Sequence, residues 1–589
     1  MIKKTPEQLL AAKIKRERAK VKRDHEKLVR NMVLATGFAR IASLEGQQFT
    51  YKGQQCDFDD VFIYENVIVV AEYTTSSESN VSDHLKLKKI IFDHIQNGPD
   101  DFVSFMKSSY PDFASATKTI YPDHSYRVSV LYCSRYELRV ETKDQVKSAR
   151  YLDYNIAKYF SNLALTIRHS ARHEFLEFLG VSASEVAENV LSTQDSSGDN
   201  FRGSVLPSSH SMFDSGYKVV SFYANPSALL ERVYVLRREG WRDEANLYQR
   251  VIGRKKVDLI RNYLLEKRRV FVNNIIITLP DDAKVLDDEG DTKDPDSIKK
   301  TQPATVYLPK RHNSIGIIDG QHRVYSYYEG GDNDDEISAM RQVQNLLVTG
   351  VMFPPNTSDA DKLKFEAQLF VEINANQTSA PPDLMQEIDL IIRPFEPSSI
   401  AKRIIKLMND RHSPFNNEFA RYTHDVDKLK TSSIVSFGLK PIVKLSGDDS
   451  FFFIWPKPDK YRLLEGNDSA LLSEYIEFCY VNVIAMFIQV RKHLASGRWT
   501  SDKSRDDRFL NTTNINGIIG FQRKLIEDRQ TADIAPMAAQ LAFLTDFNFS
   551  AYKSSQWNRM ATDLYNQFSP SGQVDEPGED EIGISDAPI

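Results

Sequence analysis

The stretch Ile315-Gly316-Ile317-Ile318-Asp319-Gly320-Gln321-His322-Arg323 joins an apolar run to a dense group of polar residues. The apolar run predicts a buried strand, and the residues after Arg323 can open a helix. The polar pentad, residues 319–323, is therefore expected at a strand-to-helix corner. Such corners hold phosphates in α/β folds, because glycine lets the backbone approach an anion and arginine supplies a bidentate fork. The structural alternative is an internal Asp319–Arg323 ion pair that shapes the turn.

The pentad and its surroundings resemble the DGQHR-domain family, relatives of ParB and of DndB, the regulator of DNA phosphorothioation systems. Upstream, Leu247-Tyr248-Gln249-Arg250 leads through Arg254, Ile260 and Tyr263 to a strand-like segment at 270–279. Downstream, Phe370-Val371-Glu372-Ile373-Asn374-Ala375-Asn376-Gln377 is similar to the second block of the family. The resemblance covers roughly residues 215–390 and implies a central ParB/DndB-like α+β domain.

By this resemblance the central domain binds a nucleotide, CTP or ATP, or a DNA phosphate, since ParB proteins bind and hydrolyse CTP at the corresponding corner. Asp319 would help to hold a metal and His322 would position water. The second block would add amide groups, although asparagines also cap turns and helices. The residues assigned to nucleotide or DNA-phosphate binding come from both blocks: Asp319, Gly320, Gln321, His322, Arg323, Asn374, Asn376 and Gln377.

Composition sets broader limits on the protein. A chain of 589 residues is expected to fold as several domains. The sequence contains no long uninterrupted apolar stretch, which predicts no membrane association, and its charged N-terminus argues against a secretory signal. Cys56, Cys133 and Cys479 lie far apart, without disulfide or metal-ligand spacing, and are expected to be reduced. We therefore expect a cytoplasmic protein.

The formal net charge is −6, but the charge is unevenly placed. Acidic residues crowd the end of the chain, where residues 571–589 are expected to be a disordered tail. A helix-compatible basic segment opens the chain and either tracks a nucleic-acid backbone or is a solvated helix without a ligand. Its cationic residues are Lys13, Lys15, Arg16, Arg18, Lys20, Lys22, Arg23, Lys27 and Arg30.

An acidic hairpin dominates the N-terminal region. Two apolar runs, 61–64 and 67–71, flank a tight Glu65-Asn66 turn, which predicts paired strands between a helix at about 25–44 and a helix that includes residues 82–92. Asp57, Asp59 and Asp60 precede the hairpin and Glu72 follows it. Two acidic clusters are thus expected to meet across the paired strands.

This order of elements resembles the PD-(D/E)XK nuclease superfamily, in which an Asp and a Glu on successive strands bind a divalent metal. The matching residues are Asp60 and Glu72, and Mg²⁺ is the implied cofactor. The family lysine two residues after the Glu is replaced by Thr74. Either the domain is inactive, or Lys86, Lys88 or Lys89 on the next helix replaces that lysine.

Together these patterns predict an α/β multidomain protein. The expected segments are a basic helical extension (1–30), a restriction-endonuclease-like α/β domain with a helical bridge (31–190), a linker (191–214), the ParB/DndB-like domain (215–395), a helical domain (396–570) and the acidic tail (571–589).

The resemblances imply a DNA-associated protein of a bacterial DNA modification, defence or mobile-element system, with DNA, a nucleotide and proteins of that system as partners. A metal-dependent endonuclease and a non-catalytic scaffold or transcriptional regulator are the alternatives. The oligomeric state is left open.

Overall fold

The structure is a computed structural model that describes residues 6–76, 78–191, 198–235, 241, 252–287, 289–293, 297–374, 382–409, 413–421, 425, 428–495, 497–529, 531 and 533–568. It has a mixed α/β architecture with several sheets and many helices, as predicted. The chain divides into two compact units, Met1–Thr378 and Ser379–Ile589.

The first half of unit 1 is built on a five-stranded sheet of order β1-β4-β5-β6-β7 and a small β2-β3 hairpin. Strands β1, β4 and β5 are antiparallel, and β6 and β7 run parallel to β5. The elements are, in chain order, α1 (Pro6–Ala35), β1 (Ala39–Arg40), β2 (Phe49–Tyr51), β3 (Gln54–Cys56), β4 (Asp60–Tyr64), β5 (Val67–Thr74), α2 (Glu78–Asn97), α3 (Pro99–Ser109), α4 (Pro111–Ala116), β6 (Arg127–Ser134), α5 (Val140–Asp144), β7 (Arg150–Asp153), α6 (Tyr154–Ile167) and α7 (Arg172–Leu179).

The predicted hairpin is confirmed, because Tyr64 pairs with Val67 across a two-residue turn. Helix α1 differs from its prediction at both ends. It ends at Ala35 instead of residue 44, and Gly37, two residues after this end, has a φ of 93°. It also runs through the predicted boundary at residue 30, so the basic extension and the domain share one helix.

The two faces of the five-stranded sheet carry separate cores, because side chains alternate along a strand. Phe62 and Val69 pack in one core with Val29 of α1 and Phe160 of α6. Val61, Val70 and Ile68 pack in another core, which holds these α2 and α3 side chains: Val81, Leu85, Phe92, Ile95, Phe102 and Met106.

The second half of unit 1 is built on an eight-stranded sheet of order β10-β14-β11-β15-β9-β8-β13-β12. Strand β14 lies between β10, to which it is parallel, and β11, to which it is antiparallel. The elements are β8 (Gly198–Pro207), α8 (Ser208–Ser211), β9 (Lys218–Ala224), α9 (Pro226–Arg232), β10 (Val233–Tyr234), α10 (Arg254–Lys267), β11 (Ile275–Thr278), β12 (Lys284–Leu286), β13 (Gln302–Pro309), β14 (Ile315–Asp319), α11 (Gln321–Tyr325), α12 (Asp334–Val343), β15 (Leu346–Met352) and α13 (Asp359–Asn374).

The predicted linker at 191–214 is corrected by strand β8, which pairs with β9 and β13 inside this sheet. Phe201 and Val205 of β8 are buried, and Gly203 fits where an added Cβ would lie 2.1 Å from the carbonyl oxygen of Ser221. The polar residues that suggested a linker, 192–197, lie outside the described residues. Strand β8 depends mainly on pairing with its neighbours in the sheet. Its own sequence pattern is therefore too weak to distinguish it from a loop.

Unit 2 is helical over its described residues and contains its own apolar core. The helices are α14 (Pro382–Ile392), α15 (Pro397–Met408), α16 (Lys440–Val443), α17 (Phe451–Ile454), α18 (Ser469–His493), α19 (Thr512–Arg529) and α20 (Trp557–Phe568). Because α14 belongs to this unit, the central domain ends earlier than the predicted residue 395. The acidic tail, 571–589, lies outside the described residues.

Helix α18 is long and apolar enough, by length and composition alone, to cross a membrane. Half of its most apolar window is buried within the protein, and its side chains Tyr475, Cys479 and Phe487 belong to the core of unit 2. A core helix passes the same test, so α18 is weak support for a membrane span.

Candidate functional site

The predicted metal pair, Asp60 and Glu72, is not brought together. Asp60 pairs with Ala71 across the β4-β5 hairpin, so these two side chains point to the face that carries Phe62 and Val69. Glu72 is the next residue along β5 and therefore points to the opposite face. A shift of one residue along a strand is enough to exchange the two faces.

Asp60, whose side chain is fully buried, is instead the centre of a charge network. Arg30 Nε donates to Asp60 Oδ2 at 2.9 Å, Tyr73 Oη donates to the same oxygen at 2.7 Å, and Arg40 Nε donates to Oδ1. Glu45 closes the network by accepting from both arginines. Both oxygens of Asp60 accept hydrogen bonds from side chains of α1, β1 and β5. Asp60 therefore stabilises the fold, and it lies on the opposite face of the sheet from Glu72.

On the face of the sheet opposite Asp60, Lys88 contacts Glu72 and a neighbouring aspartate. Its Nζ donates to Glu72 Oε1 at 2.7 Å, to the carbonyl oxygen of Asp57 at 2.8 Å and to Asp57 Oδ1 at 3.0 Å. Asp59 stands beside this group, and its Oδ2 accepts from the backbone N–H of Tyr73 at 2.7 Å. We call Asp57, Asp59, Glu72 and Lys88 the Glu72 cluster.

Burial governs the electrostatics of the Glu72 cluster. It raises the pKa of Glu72, and the ammonium of Lys88 opposes that shift. Burial lowers the pKa of Lys88, but the charge of Glu72, the proximity of Cys56 and the hydrogen bonds to Glu72 and Asp57 together outweigh burial and leave that pKa above its ordinary value. Lys88 is therefore a permanent cation held against a carboxylate whose proton affinity is unusually high.

The other candidate lysines of α2 lie elsewhere. Lys86 is largely exposed and faces Asp83 at 3.6 Å, and Lys89 pairs with Asp93 at 2.9 Å. Residues two apart on a helix are about 200° apart around its axis, which separates Lys86 from Lys88. His84 of the same helix lies with its Nδ1 3.0 Å from the hydroxyl of Tyr132.

Two residues of the cluster and the neighbouring Cys56 bring three potential metal-ligand atoms together. One ligand atom each from Cys56, Asp57 and Glu72 lie within 4.8 Å of one another. Burial raises the pKa of Cys56 to about 11, so its thiol stays protonated and is a poor ligand. The carboxylates of Asp57 and Glu72, with Asp59 beside them, are the hard oxygen donors that Mg²⁺ and Mn²⁺ prefer. Asp57 and Asp59 were visible as acidic residues before the hairpin, but the sequence did not show which of the three aspartates shares the face of Glu72.

Helix α1 extends from this domain as an exposed cationic arm. Residues 13–24 are exposed on every side of the helix. They include Lys13, Lys15, Arg16, Arg18, Lys20, Lys22 and Arg23, against only two acidic residues, Glu17 and Asp24. Further along the same helix, Arg30 contacts Asp60 at the edge of the domain. The arm is thus continuous with the domain that carries the Glu72 cluster.

The pentad lies where the sequence placed it, at a strand-to-helix corner. Strand β14 ends at Asp319, Gly320 follows with a φ of 96°, and α11 begins at Gln321. Arg323 Nη2 donates to Asp319 Oδ2 at 2.6 Å, and Nη1 donates to the carbonyl oxygen of Asn274 at 2.5 Å. The guanidinium therefore serves the internal ion pair that was the structural alternative.

Of the two remaining polar side chains of the pentad, His322 has a hydrogen-bond partner, whereas the side-chain oxygen of Gln321 has none among the described residues. His322 Nε2 accepts from the backbone N–H of Gly253 at 3.3 Å. Gln321 Oε1 is buried and has no hydrogen-bond partner among the described residues. Of the second block, Asn374 ends α13, whereas its side chain and all of Asn376 and Gln377 lie outside the described residues. The two-block binding site therefore stays a prediction.

Two buried arginines that the sequence did not single out support the corner. Arg261 Nη1 donates to the carbonyl oxygens of Ser326 and Tyr328, at 3.1 and 2.9 Å. Arg341 donates to Tyr328 at 3.0 Å and also to Tyr327 at 2.7 Å. Carbonyls that follow the short helix α11 are thereby satisfied by side chains.

We expect Gly320→Ala to destabilise the protein by about 2–4 kcal/mol, because the left-handed backbone disfavours alanine and the new methyl group collides with a neighbour. An added Cβ would lie 2.7 Å from Ile275 Cδ1 and 3.3 Å from Ile275 Cα. Gly290 is the matched control, since its φ is 90° but no atom lies within 4 Å of an added Cβ. Gly290→Ala should cost only about 1 kcal/mol. Equal losses in urea denaturation of the two variants would contradict a tightly packed corner.

No family model, no curated protein and no solved structure matches this chain. The resemblances to the DGQHR-domain family and to PD-(D/E)XK nucleases therefore remain predictions carried by the residues quoted above.

Proposed function

We propose that the Glu72 cluster is a divalent-metal-dependent centre for cleaving DNA phosphodiester bonds. The observation that carries this proposal is the 2.7 Å contact between Lys88 Nζ and Glu72 Oε1. Thr74 stands where the nuclease superfamily has a lysine on the strand, and Lys88 of α2 brings an ammonium group to the same carboxylate. In this reading Asp57 and Glu72 hold the metal, Asp59 supports them, and Lys88 supplies the positive charge.

The chain's own groups have distinct parts in such a reaction. Glu72 and Asp57 would hold the cation, which when bound would polarise the phosphodiester and lower the pKa of a water molecule. The side chain of Lys88 is a flexible four-carbon chain. Its ammonium group can therefore move away from Glu72 and Asp57 and face the negative charge that develops on phosphate oxygens. The backbone N–H of Tyr73 fixes the orientation of Asp59.

The cationic arm of α1 supports DNA as the substrate. Its seven exposed cations over residues 13–23 can neutralise several phosphates. Because such contacts release counterions, the affinity of the protein for DNA should fall steeply with salt. The arm carries charge and no base-reading pattern, so it would position DNA without selecting a sequence.

A DNA-cleavage assay with the full chain tests this proposal. Supercoiled and linear DNA are incubated with Mg²⁺ or Mn²⁺ and with the wild type, Glu72→Gln or Lys86→Met. We expect metal-dependent cleavage by the wild type and by Lys86→Met, because Lys86 is exposed and outside the cluster. Glu72→Gln keeps the volume of the side chain but removes the charge that holds the metal, so it should be inactive. Cleavage by Glu72→Gln at the wild-type rate would refute the assignment.

A non-catalytic scaffold is the second candidate, and one observation favours it. The ammonium of Lys88 donates to Glu72 and twice to Asp57, and so occupies a cation position among these oxygens. If that arrangement is permanent, the lysine replaces the metal and the domain binds DNA without cutting it. Absence of Mn²⁺ binding in calorimetry, together with absence of cleavage, would favour this reading.

A place in DNA modification or defence, and binding of CTP or ATP by the pentad, rest on the DGQHR resemblance. The commitment of Arg323 to Asp319 and Asn274 gives the pentad a structural part in addition to any ligand. Nucleotide binding would therefore need Arg323 to exchange its internal partner for a phosphate.

A further inference from the structure

A cavity lies at the other end of strand β14 from the pentad. This cavity, of about 720 Å³, opens where β11 ends and β14 begins, between helix α13 and the segment that follows α7. Its volume is within the range of small-molecule sites, roughly 300–1,000 Å³. No sequence motif pointed to this cavity, and none of the pentad residues lines it.

The cavity wall holds a buried carboxyl group, that of Glu366 on α13. Thr278 Oγ1 donates to Glu366 Oε1, and Thr278 is the one described residue with a hydrogen bond to this side chain. Only 5% of Glu366 is exposed, and burial raises its pKa to about 7 against the opposing effects of the hydrogen bond from Thr278 and the charge of Lys362. Burying an ionised carboxyl group destabilises the folded protein. Such a group at a cavity wall is therefore a candidate for binding a ligand through its charge.

The strand next to Glu366 is shaped to admit it. Gly316 is the second residue of β14, where a side chain would ordinarily pack. An added Cβ there would be 2.5 Å from Thr278 Oγ1 and 2.8 Å from Glu366 Oε1. The glycine thus creates the space in which the carboxyl and the hydroxyl meet.

The charges at the rim of the cavity are already neutralised. Lys362 Nζ lies 2.7 Å from a carboxylate oxygen of Asp281, and Arg311 Nη2 lies 3.1 Å from one of Asp282. Burial lowers the pKa of His312, on the cavity wall, to about 4, so its imidazole is neutral. Because both rim cations already have carboxylate partners, ionised Glu366 adds a negative charge to the cavity wall that these two pairs do not balance.

Part of the wall suits an apolar or aromatic body, whereas Ser182, Asn313 and Ser314 are among its polar residues. The apolar and aromatic residues of the wall include Leu279, Pro280, Leu363, Phe353 and Tyr234. Aromatic faces attract organic cations as well as covering apolar surface. We propose that this cavity binds a small organic cation, an amine, amidine or guanidine with an apolar or aromatic body, whose charged group is held by the Glu366 carboxylate.

The test uses three probes that share one ring and differ in charge: benzamidine, benzamide and benzoate. Titration of the full chain at pH 8, followed by calorimetry and ligand-observed NMR, should show binding of benzamidine and neither of the other two. In Glu366→Gln the affinity for benzamidine should fall about 10- to 100-fold, the range expected for the loss of a hydrogen bond to a charged group. This variant keeps the side-chain volume and an acceptor for Thr278, so it should fold.

Glu372→Gln is the matched control, because Glu372 lies on the same helix and is exposed. It should bind benzamidine like the wild type. Equal binding of benzoate, absence of benzamidine binding, or unchanged binding in Glu366→Gln would overturn the proposal. The result is independent of DNA cleavage, since the Glu72 cluster is not part of the cavity wall.

Discussion

Lys88→Met should lower the rate of metal-dependent DNA cleavage by about 10²- to 10³-fold, the loss expected when one preorganised charge at a reacting centre is removed. Methionine keeps most of the side-chain length but cannot donate to Glu72 or stabilise a phosphate. The oxygens of Asp57 and Glu72 stay in place, so binding of Mn²⁺ should persist in calorimetry. Glu72→Gln, in contrast, should lose both cleavage and Mn²⁺ binding.

The same variant has a second signature in its pH dependence. Without the ammonium, burial raises the pKa of Glu72 further, because Lys88 is the main group that opposes the shift. A proton then competes better with the metal, so Mn²⁺ affinity should decrease more steeply from pH 8 to pH 6 in Lys88→Met than in the wild type. Lys86→Met, two residues away, should leave cleavage and pH dependence unchanged. A wild-type cleavage rate in Lys88→Met would remove the lysine from the proposed mechanism.

Asp60→Ala should destabilise the protein by about 3–5 kcal/mol, because it leaves two partly buried guanidinium groups without their shared carboxylate. Arg30 and Arg40 both donate to Asp60, whose side chain is fully buried, and their other acidic partner, Glu45, is half exposed. Their mutual repulsion would act where α1 meets β1 and β4. The midpoint of thermal unfolding should fall by roughly 5–10 °C.

Asp83→Ala is the control for this change, since Asp83 is largely exposed and lies 3.6 Å from Lys86. Its effect should stay within about 0.5 kcal/mol. The original prediction that Asp60 is a metal ligand makes the opposite forecast, namely a stable Asp60→Ala protein that has lost Mn²⁺ binding. Denaturation and calorimetry on the same two variants decide between a structural and a ligand role.

Several features of the fold were predictable because they depend on local periodicity and turn chemistry. The alternation of apolar residues on either side of Glu65-Asn66 predicted the β4-β5 hairpin, which the pairing of Tyr64 with Val67 confirms. The apolar run before Asp319 predicted β14, and Gly320 marked its exit because only glycine readily adopts a φ of 96°. The strand β8 was missed, because its burial comes from pairing with β9 and β13.

The candidate site was only half predictable. The sequence showed an acidic group before the hairpin, a glutamate after it and lysines on the next helix. It did not show that Asp60 and Glu72 lie on opposite faces, since the register that sets the faces is a property of the paired strands. Nor did it select Lys88 from Lys86, because that choice depends on how α2 is rotated against the sheet.

The sequence by itself thus determined the α/β class, the hairpin, the strand-to-helix corner and the cationic composition of α1, all of which follow from the order of residues over short distances. Tertiary structure alone decided that Asp60 joins two arginines, that Lys88 joins Glu72, and that Arg323 is held by Asp319 and Asn274. It also created the Glu366 cavity, whose wall comes from segments far apart in the chain. The physical reason is that the partner of a charged side chain, and hence its function, is set by burial and by contacts between distant segments.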